Sequence, residues 1–443
     1  MRTIEYTTDV LIVGGGPAGL AAAIAARAKR LRVIVADYRR PPLAKACGEG
    51  LLPDTLAALR RLGVELEPHH GRALRGLRFF GPGDRVADAE FSHAQGFGVQ
   101  REALVELLIA RAETMGVLLL WDHRVVEASD GCALAGATRI GYRWLVRADG
   151  RQSNLRVRDA FARVADSDRR YGFRRHFTIR PWSDRVEIYW GDREQIYVTP
   201  VAADAVNVAL VTRDSRRRLD DALANFPVLA QRLRDASTGT ASERGAVTGT
   251  HILTRVASRD VALVGDAGGT VDAITGQGLG LAFEQALRLA DALAAGDLKR
   301  YAHAHRSLMR RPRFMAALMV ALGDDRRLRD IALWTASAWP AVFAALVAFH
   351  TGAHPRVRTI RPSFGALPRL LKTLVCPKPL AVCALIAFVG AAAPVQAGEI
   401  VLDMDPATAA VKYRLGALFS HRRRLEVQST AGQSTVHATF RVR

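Results

Sequence analysis

The chain has 443 residues, 49% of them hydrophobic, and a formal net charge of +20. That length and apolar content allow two or three domains around a large core and exclude a disordered chain. The charge says little about partners: only six of the 63 basic residues are lysine, no helix-turn-helix, zinc-finger or aromatic RNA-binding pattern accompanies the arginines, and nucleic acid is not expected as a partner.

Cys47, Cys132, Cys376 and Cys383 have no CxxC spacing and no paired histidine cluster. Neither a disulfide framework nor a metal site is expected, and a reducing compartment suits the pattern. The first twenty residues run straight into a strand without a basic, apolar leader, so the expected location is cytoplasmic.

The first predicted elements form a βαβ unit. Asp9 to Val13 is a short apolar strand, Gly14-x-Gly16-x-x-Gly19 follows, an alanine-rich helix runs to about Arg30, and a second apolar strand, from Arg32 to Ala36, ends at Asp37. Gly14 allows a tight turn, Gly16 lets a pyrophosphate approach the backbone at the helix N-terminus, and Gly19 lets helix and strand pack closely. Asp37 is placed to accept hydrogen bonds from ribose hydroxyls. The pattern therefore predicts dinucleotide binding. No second unit of this kind is visible, so a nicotinamide donor would bind transiently or electrons would come from another protein.

Next comes "KACGEGLLP", in which Cys47 and Gly48 stand before a predicted turn. The segment "GRALRGLRFFGPGDRVADAEF" has strand character, and "GVQREALVELLIARAETMGV" begins a helix at Arg101. "WLVRADGRQSNLR" ends a strand at Ala148 and presents Asp149, Gly150, Ser153 and Arg156. Beyond it, "RRHFTIRPW", "RVEIYWGD", "QIYVTPV" and "AVNVALVTR" alternate in the manner of strands separated by turns. "DVALVGDAGGTVDAITGQGLGLAFEQALRLADAL" runs a buried strand into Gly265 and Asp266, then a loop with Gly276, Gly278 and Gly280 that opens an amphipathic helix.

These three fingerprints, GxGxxG, DG and GD, resemble those of the FAD-dependent monooxygenase and geranylgeranyl-reductase superfamily over roughly residues 8–300. The resemblance implies an α/β fold with a Rossmann-like FAD-binding domain, an interleaved antiparallel β-sheet substrate domain and C-terminal helices. It implies FAD as cofactor and NAD(P)H as transient electron donor. Asp266 would hydrogen-bond the ribityl chain, and Gly276 and Gly278 would bring backbone N–H groups and a helix dipole to the pyrimidine edge of the flavin. Asp149 and Gly150 would shape the pyrophosphate region, and Arg101 would reach the FAD. The expected segments are 1–75, 101–165 and 251–300 for FAD, 76–100 and 166–250 for the substrate sheet, and 301–370 for the helices.

Lys45-x-Cys47-Gly48-x-Gly50 resembles a run found in the reductase branch, which makes Cys47 and Gly48 candidates for the substrate pocket. The resemblance leaves two reactions open: hydroxylation of an apolar aromatic, quinol or polyketide/isoprenoid-type substrate, or reduction of a prenyl double bond. A non-catalytic flavin-binding or membrane-tethered protein is the reading from another class. No catalytic base can be assigned, and the histidines at 69, 70, 93, 123 and 176 read as surface or structural.

Arginine clusters at 216–218, at 310, 311 and 313, and at 326, 327 and 329 are either solvated helix faces or a contact with anionic lipid. Residues 331–349 carry no charge and are expected as one buried or interfacial helix, with a membrane span as the alternative. Residues 378–397 have the layout of a secretory signal peptide in the wrong place. The adjoining stretch "GEIVLDMDPATAAVKYRLGALFS" resembles the start of a polyisoprenoid-binding, lipocalin-like barrel, and the chain beyond it is too short to close one. This atypical tail, 378–443, is expected to be a read-through or fusion of a neighbouring frame, or else a membrane anchor.

Overall fold

The computed structural model describes residues 5–42, 45–81, 85–151, 155–157, 161, 163–166, 169–238 and 243–353, with only the backbone at 156–157 and 163–166, and the backbone of four strands beyond residue 400. Five parallel strands make its first layer. In spatial order they are Leu118–Trp121, Val33–Asp37, Tyr6–Val13, Thr138–Arg147 and Val261–Leu263. Alternate residues of the first strand pack on opposite faces: Val10 and Ile12 join a core with helices Pro17–Ala28, Arg101–Thr114 and Gly278–Ala294, while Leu11 and Val13 pack towards the hairpin Val125–Ala135. Burial on both faces explains why that strand reads as a continuous apolar run.

A second sheet runs in the order Ser237–Thr238, Arg170–Thr178, Ala205–Thr212, Glu194–Ala202, Arg185–Trp190, Gly76–Phe80 and Val86–Glu90. It is antiparallel except where Gly76–Phe80 meets Arg185–Trp190, which is a parallel pair. The exception follows from connectivity: parallel neighbours need a long crossover, and here the chain between the two strands includes the helix Arg101–Thr114 and the strands Leu118–Trp121 and Thr138–Arg147 of the first layer. A small sheet joins Gly50–Leu51 and Gly71–Leu74 to Gly96–Val99. Of the segment 76–100 expected in the substrate sheet, Gly76–Phe80 and Val86–Glu90 lie in the second sheet and Gly96–Val99 pairs in the small sheet instead.

The apolar run at 331–349 is not one helix. It divides into Arg326–Ala338 and Pro340–His350, bent by 108°. Proline supplies no N–H and disfavours helical backbone in the residue before it, so Trp339 takes φ −129° and ψ 77° and Pro340 restarts the helix at its first position. Among the described residues no single helix is long and apolar enough to cross a membrane. Leu333, Phe343 and Val347 of this bent pair pack on Phe79, Ala87, Ile188 and Trp190 of the second sheet.

Residues 355–443 form a separate unit. Within it, Val401–Leu402, Val411–Arg414, Arg423–Ser429 and Thr435–Phe440 make a four-stranded antiparallel meander. The signal-peptide-like run at 378–397 lies outside the described residues, as does Ser153.

Candidate cofactor and substrate site

The carboxyl ends of the parallel strands converge on one edge, which is where open α/β sheets hold ligands. At the first of these ends the three glycines do different work. Gly14 has φ +110°, and a Cβ there would lie 2.5 Å from the carbonyl oxygen of Ala148; a Cβ on Gly19 would lie 1.8 Å from the carbonyl oxygen of Gly14. Both are therefore demanded by backbone packing. Gly16 is different: it caps the helix that starts at Pro17, and no heavy atom lies within 4 Å of where its Cβ would be. Free space in front of exposed helix N–H groups is what an anion needs.

Asp37 is buried, and its carboxylate accepts hydrogen bonds from the backbone N–H of Gly15 at 2.7 Å and of Arg39 at 2.9 Å. The ring of Trp121 lies against the same loop, only 2.3 Å from a Cβ built on Gly15. Sequence reasoning missed Trp121. Its signal was its place at the end of a parallel strand neighbouring Val33–Asp37.

At the next strand end, Asp149 lies 3.4 Å from Arg147, and Gly150 has φ +82° with open space beside it. At the last, Gly265 takes φ +61° and donates its N–H to Gln285 at 2.7 Å. Asp266 pairs with Lys45 at 2.7 Å. Burial raises the pKa of the Asp266 carboxyl, but Lys45, with Arg101 and Arg151, more than offsets that, and the carboxyl is held below the usual range. Gly276 is left-handed at φ +65°, Gly278 opens the long helix to Ala294, and neither has a heavy atom within 4 Å of its Cβ position.

Arg101 begins the helix Arg101–Thr114, and its Nε is buried without a hydrogen-bond partner. The structure thus gathers Gly14, Gly16, Gly19, Asp37, Asp149, Gly150 and Asp266 at the strand ends, and Arg101, Gly276 and Gly278 at helix starts on the same side of the sheet. Open backbone at Gly16, Gly150, Gly276 and Gly278, together with an unsatisfied guanidinium nitrogen, fits an anionic dinucleotide.

The run from Lys45 to Gly50 forms a strap between this edge and the second sheet. The carbonyl of Cys47 accepts from Asn207 Nδ2 at 2.9 Å, that of Gly48 from Thr199 Oγ1 at 2.9 Å, and that of Glu49 from the N–H of Val99 at 3.0 Å. Gly48 faces open space, and Cys47 is half-buried, its Sγ 3.4 Å from the N–H of Glu49.

Glu49 is the residue that sequence reasoning undervalued. It is 2% exposed with φ +59°, accepts from the N–H of Arg101 at 3.0 Å, and lies 2.6 Å from His176 Nε2 and 3.9 Å from Arg174. Arg174 in turn meets Glu102 at 2.9 Å. His176 therefore belongs to a charged cluster between the two layers. Cys132 lies on the far hairpin; Cys376 and Cys383 are outside the described residues.

Two buried histidines support the loops around Gly265 and Gly276 from behind. His305 lies 3.3 Å from Gln285 Nε2, and Tyr301 donates to the carbonyl of Leu263 at 2.6 Å. His350 Nε2 lies 3.0 Å from the carbonyl of Thr275, and Gln277 donates to the His350 carbonyl at 2.9 Å. Burial, which penalises the imidazolium, lowers both histidines from 6.5 to about 4. Above pH 6.5 both rings are neutral whether the chain is folded or not. Between 6.5 and 4 the unfolded chain takes up protons that the folded chain refuses, so stability falls as pH falls. The expected loss is on the order of 3 kcal/mol per histidine by pH 4. Urea unfolding at pH 7, 5.5 and 4.5 measures it, and His350→Asn should make the fall shallower.

Comparison with known proteins identifies the family. Residues 7–306 match the family model described as FAD binding domain. The menaquinone reductase of Mycobacterium tuberculosis is 28% identical over 327 residues, covering 67% of this chain and 79% of that protein. The para-nitrophenol 4-monooxygenase of a Pseudomonas strain is 27% identical over 173 residues, 34% of this chain and 42% of that one. A flavoprotein/dehydrogenase from Cytophaga hutchinsonii has the same fold, with a TM-score of 0.68 at 18% identity over 86% of this chain and all of that one. The chain belongs to the FAD binding domain family, in the FAD-dependent monooxygenase superfamily, and is an FAD-dependent oxidoreductase.

Proposed function

We propose that the enzyme hydroxylates an apolar aromatic ring of quinone or quinol type that carries an isoprenoid tail, with NAD(P)H as the electron donor. The observation that carries this reading is the wall beyond the cofactor edge. Tyr197 Oη lies 2.9 Å from the carbonyl of Ile274 in the flavin-side loop. From Tyr197 onward the same sheet face offers Ile188, Trp190 and Phe79, with Met319, Leu322 and Phe343 of the C-terminal helices packed against them. Phe79, Ile188, Trp190 and Phe343 are buried in this cluster, and the partly buried Tyr197, Met319 and Leu322 are what it offers to a long apolar tail.

Bound FAD supplies the redox chemistry, and the protein supplies binding, orientation and exclusion of water. Asp37 would hold the adenosine ribose, and the N-terminus at Gly16 and the Arg101 guanidinium would hold the pyrophosphate. Asp149 and Gly150 shape that region, and Asp266 would bind the ribityl hydroxyls. The helix starting at Gly278 would present its positive end to a flavin edge that gains negative charge on reduction. Cys47 and Gly48 on the strap would border the ring. In the overall reaction, dioxygen gives one atom to the ring and the other to water, and NAD(P)H gives the two electrons.

Reduction of a prenyl double bond is the second reading, favoured by the Lys45-x-Cys47-Gly48-x-Gly50 strap and by the long match to a menaquinone reductase. The exposed Arg310, Phe314, Arg326 and Arg327 suit collection of such a substrate at a membrane surface.

The test is a visible spectrum followed by NAD(P)H oxidation against phenols, quinols and prenyl quinones. Oxygen uptake matched by a hydroxylated product supports the first reading. Anaerobic turnover with a product two hydrogens heavier supports the second, and a colourless protein from flavin-replete cells refutes both.

A further inference from the structure

Three buried nitrogen donors converge at the end of the apolar wall, and none is used by the proposed hydroxylation. Trp190 Nε1 and Gln195 Nε2 lack hydrogen-bond partners and lie beside Nη1 of Arg170, whose Nε and Nη2 face Asp272 and Asp324; the three residues are 4%, 2% and 6% exposed. They belong to three strands of the second sheet. All three residues point at one place on the helix Leu298–Asp324: a Cβ built on Gly323 would lie 3.9 Å from Arg170 Nη1, 3.9 Å from Gln195 Nε2 and 4.0 Å from Trp190 Nε1. Glycine there leaves room in front of the donors that any larger residue would take.

Charge at this place is already balanced. Arg170 faces Asp272 at 3.1 Å and Asp324 at 3.6 Å, and Arg213 also pairs with Asp324. Donors around a neutralised guanidinium suit a neutral oxygen better than an anion, since buried donors left unpaired cost about 1–3 kcal/mol each. The place is also tied to the cofactor edge. Tyr197 Oη, which lies 2.9 Å from Ile274 O, is 2.5 Å from Gln195 Oε1, and Asp272, the partner of Arg170, caps the turn Ala273–Thr275 before Gly276.

We propose that Trp190, Gln195 and Arg170 form an acceptor subsite that binds a carbonyl oxygen of the quinone-type ring, with Gly323 required to keep it open. This rests on the quinone-type reading of the substrate. It makes these residues determinants of specificity for an oxygenated ring over a bare hydrocarbon of the same shape.

The test measures equilibrium binding to the FAD-loaded protein, by the change in flavin absorbance, of 2-methyl-1,4-naphthoquinone and of 2-methylnaphthalene, the same ring without oxygens. Wild type should prefer the quinone by at least tenfold. Trp190→Phe, which keeps an aromatic ring but removes the donor, and Gly323→Ala, whose new methyl meets nothing closer than 3.9 Å, should each cut that preference about five- to tenfold. Binding of 2-methylnaphthalene and flavin content should stay unchanged in both variants; Gly323→Ala should keep the melting temperature, and Trp190→Phe should lower it through lost packing on Phe79. If wild type prefers the quinone and both variants keep the full preference, the donors serve a water molecule or a turned Gln195 amide and the inference is overturned. If wild type binds no quinone, the reading of the substrate falls first, and this subsite with it.

Discussion

Gly16→Leu should give a folded protein that is purified without its yellow colour. The backbone at this position has φ −75° and ψ 178°, which a leucine adopts without strain, and no atom of the protein lies within 4 Å of the Cβ position. Nothing in the fold is disturbed. The side chain instead enters the space before the first N–H groups of Pro17–Ala28, where the pyrophosphate would rest. Overpacking costs of about 1–3 kcal/mol and lost hydrogen bonds to a charged group of about 1.5–3 kcal/mol together weaken FAD binding by at least about a hundredfold. Flavin titration and a melting curve of the apo-protein check the two halves of this expectation. Equal FAD affinity in the variant would show that the cofactor does not use this helix end. Gly19→Leu is a poor substitute test, because its side chain would run into the carbonyl of Gly14 and unfold the loop whether or not a ligand binds.

Glu49→Ala should be the most destabilising single change at the strap. The carboxylate is buried, with His176, Arg174 and the N–H of Arg101 as partners, and its removal leaves His176 and the Arg101 N–H without this acceptor and Arg174 with Glu102 alone. Breaking a buried pair from one side costs about 3–5 kcal/mol, a fall in melting temperature on the order of 5 °C or more. The left-handed backbone of Glu49 adds a smaller penalty when the side chain no longer holds it. Glu49→Gln keeps one acceptor for Arg101 and should lose less. Melting curves of wild type and the two variants with bound FAD rank them, and an alanine variant as stable as wild type would show that the buried carboxylate contributes nothing.

The contrast between Gly16 and Glu49 shows what was legible in the sequence. Motifs that act on the backbone were readable, because a glycine at a fixed distance from a strand end has few other reasons to be there. Gly14, Gly16, Gly19, Asp266 and Gly278 are of this kind, and the structure gathers them along one edge. Interactions made by side chains across layers were not readable. Glu49 and His176 are separated by 127 positions, and no local pattern distinguishes either from a solvated residue. Trp190, Gln195 and Arg170 meet only through strand register and the end of a distant helix. The break at Trp339 was a matter of weighing local signals: the run without charges suggested one helix, and Pro340 within it was sufficient to make two.

The order of the strands also governs how this molecule can be made and divided. Thr138–Arg147 lies between Tyr6–Val13, more than a hundred residues earlier, and Val261–Leu263, more than a hundred later, while Gly76–Phe80 waits for Arg185–Trp190. Each layer therefore closes only after the other has been threaded through it. Pairings of such separation form slowly, and a ribosome-bound chain up to residue 250 would still lack the Val261–Leu263 strand and the Gly278–Ala294 helix. No single cut yields a self-standing cofactor module. Engineering that swaps the substrate sheet must splice at four or more points, and truncations short of Ala294 should yield insoluble chains instead of smaller enzymes.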